Sequence, residues 1–179
     1  GNENQLVELA DGSVLSNSRA LATGSPQNRT QARSSNFGKD WNASYFVPEL
    51  PQPFNGCQGS TVGGPGNAVY SAVPDPPYPD TAVQKLVDSL DCGMIASGRR
   101  RLTLFESLDG GATYPQKYVI DEDLSAQTSL QYLNGKLVVL YEQADPPPTT
   151  DLISEHLIGD LRVLVPTRFI YRELDTLLR

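Results

Sequence analysis

The feature that most constrains this chain is an octapeptide that occurs twice. "SSNFGKDW", Ser34 to Trp41, and "SLDGGATY", Ser107 to Tyr114, share one pattern. Serine opens both. Asn36 stands where Asp109 stands, Gly38 matches Gly111, and Trp41 matches Tyr114. Each position suits a turn between two strands. An Asp or Asn side chain accepts backbone N–H groups inside such a turn. The glycine supplies a positive φ. The aromatic residue packs the turn onto its own sheet. One copy is only a turn; two copies about one sheet apart predict a repeated β-unit, a blade.

The rest of the chain reads as mainly β. Its 179 residues suffice for one medium domain, and 15 glycines with 14 prolines favour many short strands over a helical bundle. "QLVEL" and "SVLSNSR" flank Asp11-Gly12, and "LQYL" and "KLVVLYE" flank Asn134-Gly135. Both read as hairpins. "NAVYSAV", Asn67 to Val73, and "RRLTLFES", Arg100 to Ser107, read as further strands. The stretches "VPELPQPF", "VPDPPYPD" and "DPPPTT" read as loops or sheet edges, because proline cannot donate to a ladder. Thr81 to Leu90 and the final "YRELDTLLR" carry apolar residues near helical spacing, so a short C-terminal helix is expected.

A net charge of -7 speaks against a general nucleic-acid binder, which would want a basic face. Arg99-Arg100-Arg101 is the only basic run, and taken alone it reads as a solvated edge. No apolar run is long enough to span a bilayer. The opening "GNENQLVELADG" does not read as a signal peptide; it begins inside a strand pattern. Cys57 and Cys92 leave two readings open, one disulfide or two buried thiols. The sequons Asn28-Arg29-Thr30 and Asn42-Ala43-Ser44 lean towards a secreted or lumenal location.

The octapeptides resemble the Asp boxes, S-x-D-x-G-x-[TS]-[WY], of the six-bladed propellers of sialidases (neuraminidases). Four more segments carry the resemblance, in the family's order. "NENQLVELADGSVLSNSR" resembles N-E-x-Q-x-V-E-L-x-D-G-x-x-x-x-N-x-R, and "GCQGS", Gly56 to Ser60, resembles C-Q-G-S. "RRRLTLFESLDGG" resembles R-x-N-L-T-[VL]-x-x-S-x-D-G-G, and "SLQYLNGKLVVLYEQAD" resembles the closing S-x-L-x-x-L-x-x-G-x-x-x-x-L-Y-E. The match covers about residues 2 to 143 and falls on the C-terminal half of the family's catalytic domain. The resemblance implies antiparallel four-stranded blades, roughly half of a six-bladed β-propeller, over residues 1–150. Residues 151–179 would then be a final strand and tail.

The resemblance also implies a chemistry. Sialidases use a tyrosine nucleophile, because sialic acid carries a carboxylate on its anomeric carbon that would repel an anionic one. Arginines grip that carboxylate through paired, charge-assisted hydrogen bonds, and an aspartate is the acid/base. Residue by residue, Glu3 matches the glutamate that activates the tyrosine, and Arg19 and Arg99 match two of the carboxylate-binding arginines. The third arginine and the aspartate belong to the family's first half, so no residue here is assigned to them. Gln127 stands where the nucleophile belongs, in "SAQTSL", and Tyr132 lies five residues on. Glutamine can donate and accept hydrogen bonds but has no ionisable oxygen.

Two functional readings follow. The first is a degenerate, non-catalytic propeller half, a structural or glycan-contacting subunit whose first half comes from another chain or fragment. The second is an active exo-α-sialidase with the rest of its site on such a partner. A third, a propeller with Asp boxes from outside the sialidases, fits the other motifs less well. Sialic acid or a related sugar acid is the expected ligand; no cofactor and no metal are expected. Register adds one geometric expectation. A three-residue loop, Ala10-Asp11-Gly12 with the glycine as a bulge, would place Glu3 opposite Arg19 on one face. Arg19 and Arg99 should then converge on one cavity beside Gln127.

Overall fold

The computed structural model describes residues 2–20, 28–53, 56–76, 99–144 and 168–174. All ordered elements among them are strands. Sheet A is a meander of β1 (Asn2–Glu8), β2 (Val14–Arg19), β3 (Asn28–Ser34) and β4 (Tyr45–Pro51), in that spatial order. Sheet B is β5 (Ser60–Gly63), β6 (Val69–Pro74), β7 (Arg100–Ser107), β8 (Gln116–Leu133), β9 (Lys136–Ala144) and β10 (Arg168–Glu173). Every pairing in both sheets is antiparallel.

β8 is 18 residues long and serves two units. Its first half pairs with β7 and its second half with β9, and Leu124 is the switch point, opposite Arg100 on one side and Ala144 on the other. The strands β5, β6, β7 and early β8 therefore repeat the four-strand order of sheet A. Late β8, β9 and β10 begin a third unit. β1, β5 and β8 come together as the innermost strands, around a cavity of about 440 Å³ lined by Gln5, Glu8, Thr61 and Gln131 among others.

The middle unit shows why these strands hold. All six residues of β6 are buried, because a strand alternates its faces and both faces of β6 are covered. Val69, Val73 and Phe105 pack with Val7, Leu15, Val47 and Leu50 of sheet A and with Leu9, just after β1. Tyr70, Ala72, Leu102 and Leu104 pack the other way, against Leu130, Leu137, Val139 and Tyr141 of the third unit. Each fully buried aliphatic side chain here contributes about 1.5–3 kcal/mol of transfer free energy.

The two octapeptides make equivalent turns, each joining a third strand to a fourth. In the first, the Gly38 N–H donates to Ser34 Oγ at 2.8 Å and the Asp40 N–H to Asn36 Oδ1 at 2.9 Å. In the second, the Gly111 N–H donates to Ser107 Oγ at 2.8 Å and the Thr113 N–H to Asp109 Oδ1 at 2.9 Å. Gly38 and Gly111 sit at φ 81° and 86°. The aromatic positions differ. Tyr114 is 3% exposed, sealed under sheet A, whereas Trp41 is 39% exposed.

Three sequence expectations need correction or placement. Residues 168–173 form β10, so the first three residues of the expected helix, "YRELDTLLR", are strand, and its last five lie outside the described residues. One side of β10 pairs with β9, with Phe169 opposite Glu142 and Tyr171 opposite Leu140. "VPELPQPF" begins as the outermost strand of sheet A, so the edge reading holds for it and the loop reading does not. Cys57 is a buried free thiol, while Cys92, like Thr81–Leu90 and "DPPPTT", lies outside the described residues.

Candidate functional site

The β1–β2 hairpin keeps the expected register over most of its length, from Asn4 opposite Ser18 to Glu8 opposite Val14. The loop that sets it is the expected one. The Leu9 N–H donates to Ser13 O at 2.8 Å, and Gly12 takes a φ of 78°. The open end departs from expectation. Glu3 does not stand opposite Arg19; it is bulged between Asn2 and Asn4, at φ 42°, and Asn2 takes the place opposite Arg19. Left-handed backbone at a non-glycine residue costs about 1–2 kcal/mol. The Glu3 carboxylate nevertheless meets Arg19, whose Nη1 donates to Oε2 at 2.6 Å. One charge-assisted hydrogen bond is of the same order as that strain.

Arg19 rests on Gly56. A Cβ at Gly56 would stand 2.8 Å from Arg19 Nε and 3.0 Å from both Arg19 Cγ and the Ala20 carbonyl oxygen. Only glycine fits this close approach, and its φ of 71° demands glycine independently. Arg99, one residue before β7, reaches the same point, its Nη2 donating to the Gly56 carbonyl at 3.2 Å. Arg99 is held in turn by β8, whose Ser125 N–H donates to its carbonyl at 3.0 Å. The two arginines named from the sequence thus converge on one glycine from different sheets.

A third arginine lies behind them. Arg29 of β3 is 1% exposed. Its Nε donates to Asn17 Oδ1 at 2.9 Å and its Nη1 to the Cys57 carbonyl at 3.0 Å. Burial lowers its pKa to about 10; Cys57 and Glu3 oppose that shift and the like charge of Arg19 adds to it. Burial likewise pushes the Cys57 thiol up to about 11, although Arg99, Arg19 and Arg29 all pull it down. Three guanidiniums and one carboxylate therefore act on the Gly56–Cys57 segment. That surplus of positive charge, in partly dry surroundings, is suited to an anion.

Gln127 sits on a second bulge. The β8–β9 register shifts between Ser125 and Thr128, which frees Ala126 and Gln127 from regular pairing. Ala126 and Leu124 pack on Cys57, which brings this bulge to the segment that carries the arginines. Gln58 fixes the junction: its Oε1 accepts the Thr128 N–H at 2.8 Å and its Nε2 donates to the Thr128 carbonyl at 3.0 Å. The Ser60 and Thr128 hydroxyls add a contact of 2.9 Å. Gln127 itself is exposed, and its N–H donates to Glu142 Oε2 at 3.3 Å. Tyr132 packs against the core of the third unit.

Sequence reasoning missed Arg29, Gly56 and Gln58 as builders of this site. Arg29 appeared only as the middle of a sequon. Gly56 and Gln58 were visible inside "GCQGS", but no spacing rule says that one seats two arginines and the other clamps a distant strand. Among the described residues no group of three or more His, Cys, Asp or Glu side chains could hold a metal ion. No described helix is long and apolar enough to cross a membrane.

Strands that alternate around a common centre, joined by equivalent turns, define part of a β-propeller. Solved structures give that propeller a kind. The fold is similar to the intramolecular trans-sialidase of Ruminococcus gnavus, at 17% identity and a TM-score of 0.65, over 98% of this chain and 33% of that one. It is similar to the leech intramolecular trans-sialidase at 18% identity and a TM-score of 0.63, over 98% of this chain and 24% of that one. It is similar to the NanB sialidase of Streptococcus pneumoniae at 21% identity and a TM-score of 0.60, over 80% of this chain and 20% of that one. The fold is sialidase-like, and the chain spans a third or less of the length of these proteins. No protein-family model and no curated protein matches the chain by sequence.

Proposed function

We propose that this chain is a non-catalytic, sialidase-like propeller half that holds a sugar acid, sialic acid being the first choice, without cleaving it. The observation that supports the reading is that Arg19 and Arg99 converge on Gly56; by the resemblance, Gln127 falls at the nucleophile's position. Glu3, the vestigial activator, is hydrogen-bonded to Arg19 at 2.6 Å. An anion clamp without an ionisable nucleophile binds and does not turn over. Similar folds hold oseltamivir carboxylate in the Ruminococcus gnavus protein and 2,7-anhydro-Neu5Ac in the leech protein. The two octapeptides act as Asp boxes. Residues 1–150 form the propeller half, and residues 151–179 its closing strand and tail.

Further blades, whether of the same polypeptide or of a partner, would complete the ring. The exposed Trp41 and, at the far end, the exposed Phe169 and Tyr171 are the surfaces they would cover. The sequons fit a secreted or lumenal setting for such a glycan contact.

The second reading, an active exo-α-sialidase completed by a partner, draws on the same convergence of Arg19 and Arg99. The complete assembly separates them. Calorimetry with free sialic acid should show binding that Arg19→Ala removes, and a fluorogenic sialoside should show no turnover. Turnover that disappears on Glu3→Ala would establish the second reading. No binding at millimolar ligand would reduce the chain to a structural part.

A further inference from the structure

Arg29 is the one fully buried cation of the site, and neither functional reading uses it. Its position is costly. Taking a guanidinium out of water costs several kcal/mol even after relaxation. A buried arginine usually recovers that cost from a carboxylate, yet the partners of Arg29 are neutral: Asn17 Oδ1 and the Cys57 carbonyl. Its Nη2 is buried without a hydrogen-bond partner among the described residues. Glu3, the carboxylate that acts on it, is already bonded to Arg19.

What Arg29 touches gives it a role. Asn17 is itself fully buried and pinned from two sides, its Nδ2 donating to Thr61 Oγ1 at 2.9 Å and Ser71 Oγ at 3.1 Å. Those two residues belong to β5 and β6 of the next unit. One edge of the planar guanidinium is thereby anchored to a fixed acceptor, and the other reaches the Cys57 carbonyl. A planar fork with fixed donors transmits position in a way that the single point of a lysine ammonium cannot. Cys57 adjoins Gly56, on which Arg19 lies and to whose carbonyl Arg99 donates. Gly59 confirms how tightly the cation is wedged, since a Cβ there would stand 3.1 Å from Arg29 Nη1.

We infer that Arg29 is a positioning residue for the anion clamp: it fixes the Cys57 carbonyl, and through it the Gly56 seat that aligns Arg19 and Arg99. The inference rests on the sugar-acid reading above and deepens it. Arg29 reaches the ligand only through the other two arginines. Its buried charge also adds to the field that an anion meets, in surroundings where that field is poorly screened.

The test is calorimetry with free sialic acid on the complete assembly, with stability measured alongside. Arg29→Lys keeps the charge and loses the two-acceptor fork. It should weaken binding about tenfold, the lower end of what outer-shell partners contribute at metal sites. Arg29→Met should weaken it more. The decisive readout is a double-mutant cycle with Arg99→Ala. If Arg29 acts through the Gly56 seat, Arg29→Lys costs less affinity in the Arg99→Ala background than in the wild type, the remainder acting through Arg19. Independent, additive losses would overturn the inference, as would wild-type affinity in a folded Arg29→Lys variant. No binding by the wild type would overturn the sugar-acid reading itself, and the inference with it. Should Arg29→Lys not fold, arginine-labelled wild-type protein decides by NMR. The Arg29 Nε–Hε signal should move with that of Arg99 as sialic acid is added. A static Arg29 signal beside a moving Arg99 signal would overturn the role.

Discussion

Gly56→Ala isolates the packing on which the site depends, and Gly66→Ala is its control. Both glycines have left-handed backbone, at φ 71° and 62°, so an added Cβ strains both by about 1–2 kcal/mol. At Gly66 the new methyl would meet nothing within 4 Å. At Gly56 it would stand 2.8 Å from Arg19 Nε and 3.0 Å from the Ala20 carbonyl. Ala20 cannot step aside cheaply. Its N–H donates to Gln52 Oε1 at 3.0 Å and its carbonyl accepts from Gln52 Nε2 at 2.6 Å. Forcing a methyl into such a place typically costs a further 1–3 kcal/mol or about that. For a domain of this size the extra cost lowers Tm by about 2–12 °C below that of Gly66→Ala. Parallel thermal and urea melts of the two variants read this difference directly. Gly56→Ala should also weaken any anion binding, because Arg19 is the more mobile of the two obstacles. If the two variants melt together, the Gly56 seat is not tight and the account of how Arg19 is aimed fails.

Two further outcomes follow from the octapeptide turns. Burial tends to raise the Asp109 pKa, but hydrogen bonds from the Thr113 N–H and the Ser107 and Thr113 hydroxyls outweigh it and hold the carboxyl at about 2. Its folded pKa lies below the unfolded value of about 4, so the stabilisation is complete above that pH and is lost as pH falls towards 2. Asp109→Asn should therefore flatten the fall in urea midpoint between pH 4 and 2; an unchanged slope would contradict the turn geometry. Tyr114→Phe removes the acceptor that buried Gln31 Nε2 reaches at 2.8 Å, and should destabilise by about 1–3 kcal/mol in urea. Trp41→Phe, at the half-exposed equivalent position, should change stability by no more than about 0.5 kcal/mol, and equal losses at both positions would refute the burial argument.

The parts of this fold legible in the sequence are those with local causes. Asp11-Gly12 and Asn134-Gly135 force hairpins whatever surrounds them, and β1, β2 and β9 follow. The octapeptides encode their turns in side chains that bond to their own backbone. β3 was invisible because its pattern is inverted: Arg29 and Gln31 are buried while Ala32 is half-buried. An alternation of hydrophobicity cannot find a strand whose inner face is polar. Tyr171–Glu173, at the start of a stretch whose apolar spacing suits a helix, are strand because pairing with β9 overrides that weak preference. The bulges at Glu3 and Gln127 depend on contacts between sheets. Period-two reasoning can place both residues near a hairpin end but cannot say which way a bulge turns them.

On the proposed reading, the charges gathered at the site serve binding and not cleavage. A sialidase needs a nucleophile that the substrate carboxylate will not repel, which is why a tyrosine beside a glutamate serves. That arrangement matters only while a covalent bond has to form. Take the bond away, and what remains useful is attraction: arginines for the carboxylate, and neutral groups to meet the sugar's hydroxyls. On that reading Arg19 and Arg99 around Gly56 would be of the first kind, and the exposed Gln127, which can both donate and accept, of the second. In a catalyst, tight ground-state binding would be spent without raising the rate. In a binding subunit the same tightness is the function. A glutamine where the resemblance puts the nucleophile, with the arginines seated on one glycine, would move a site in that direction.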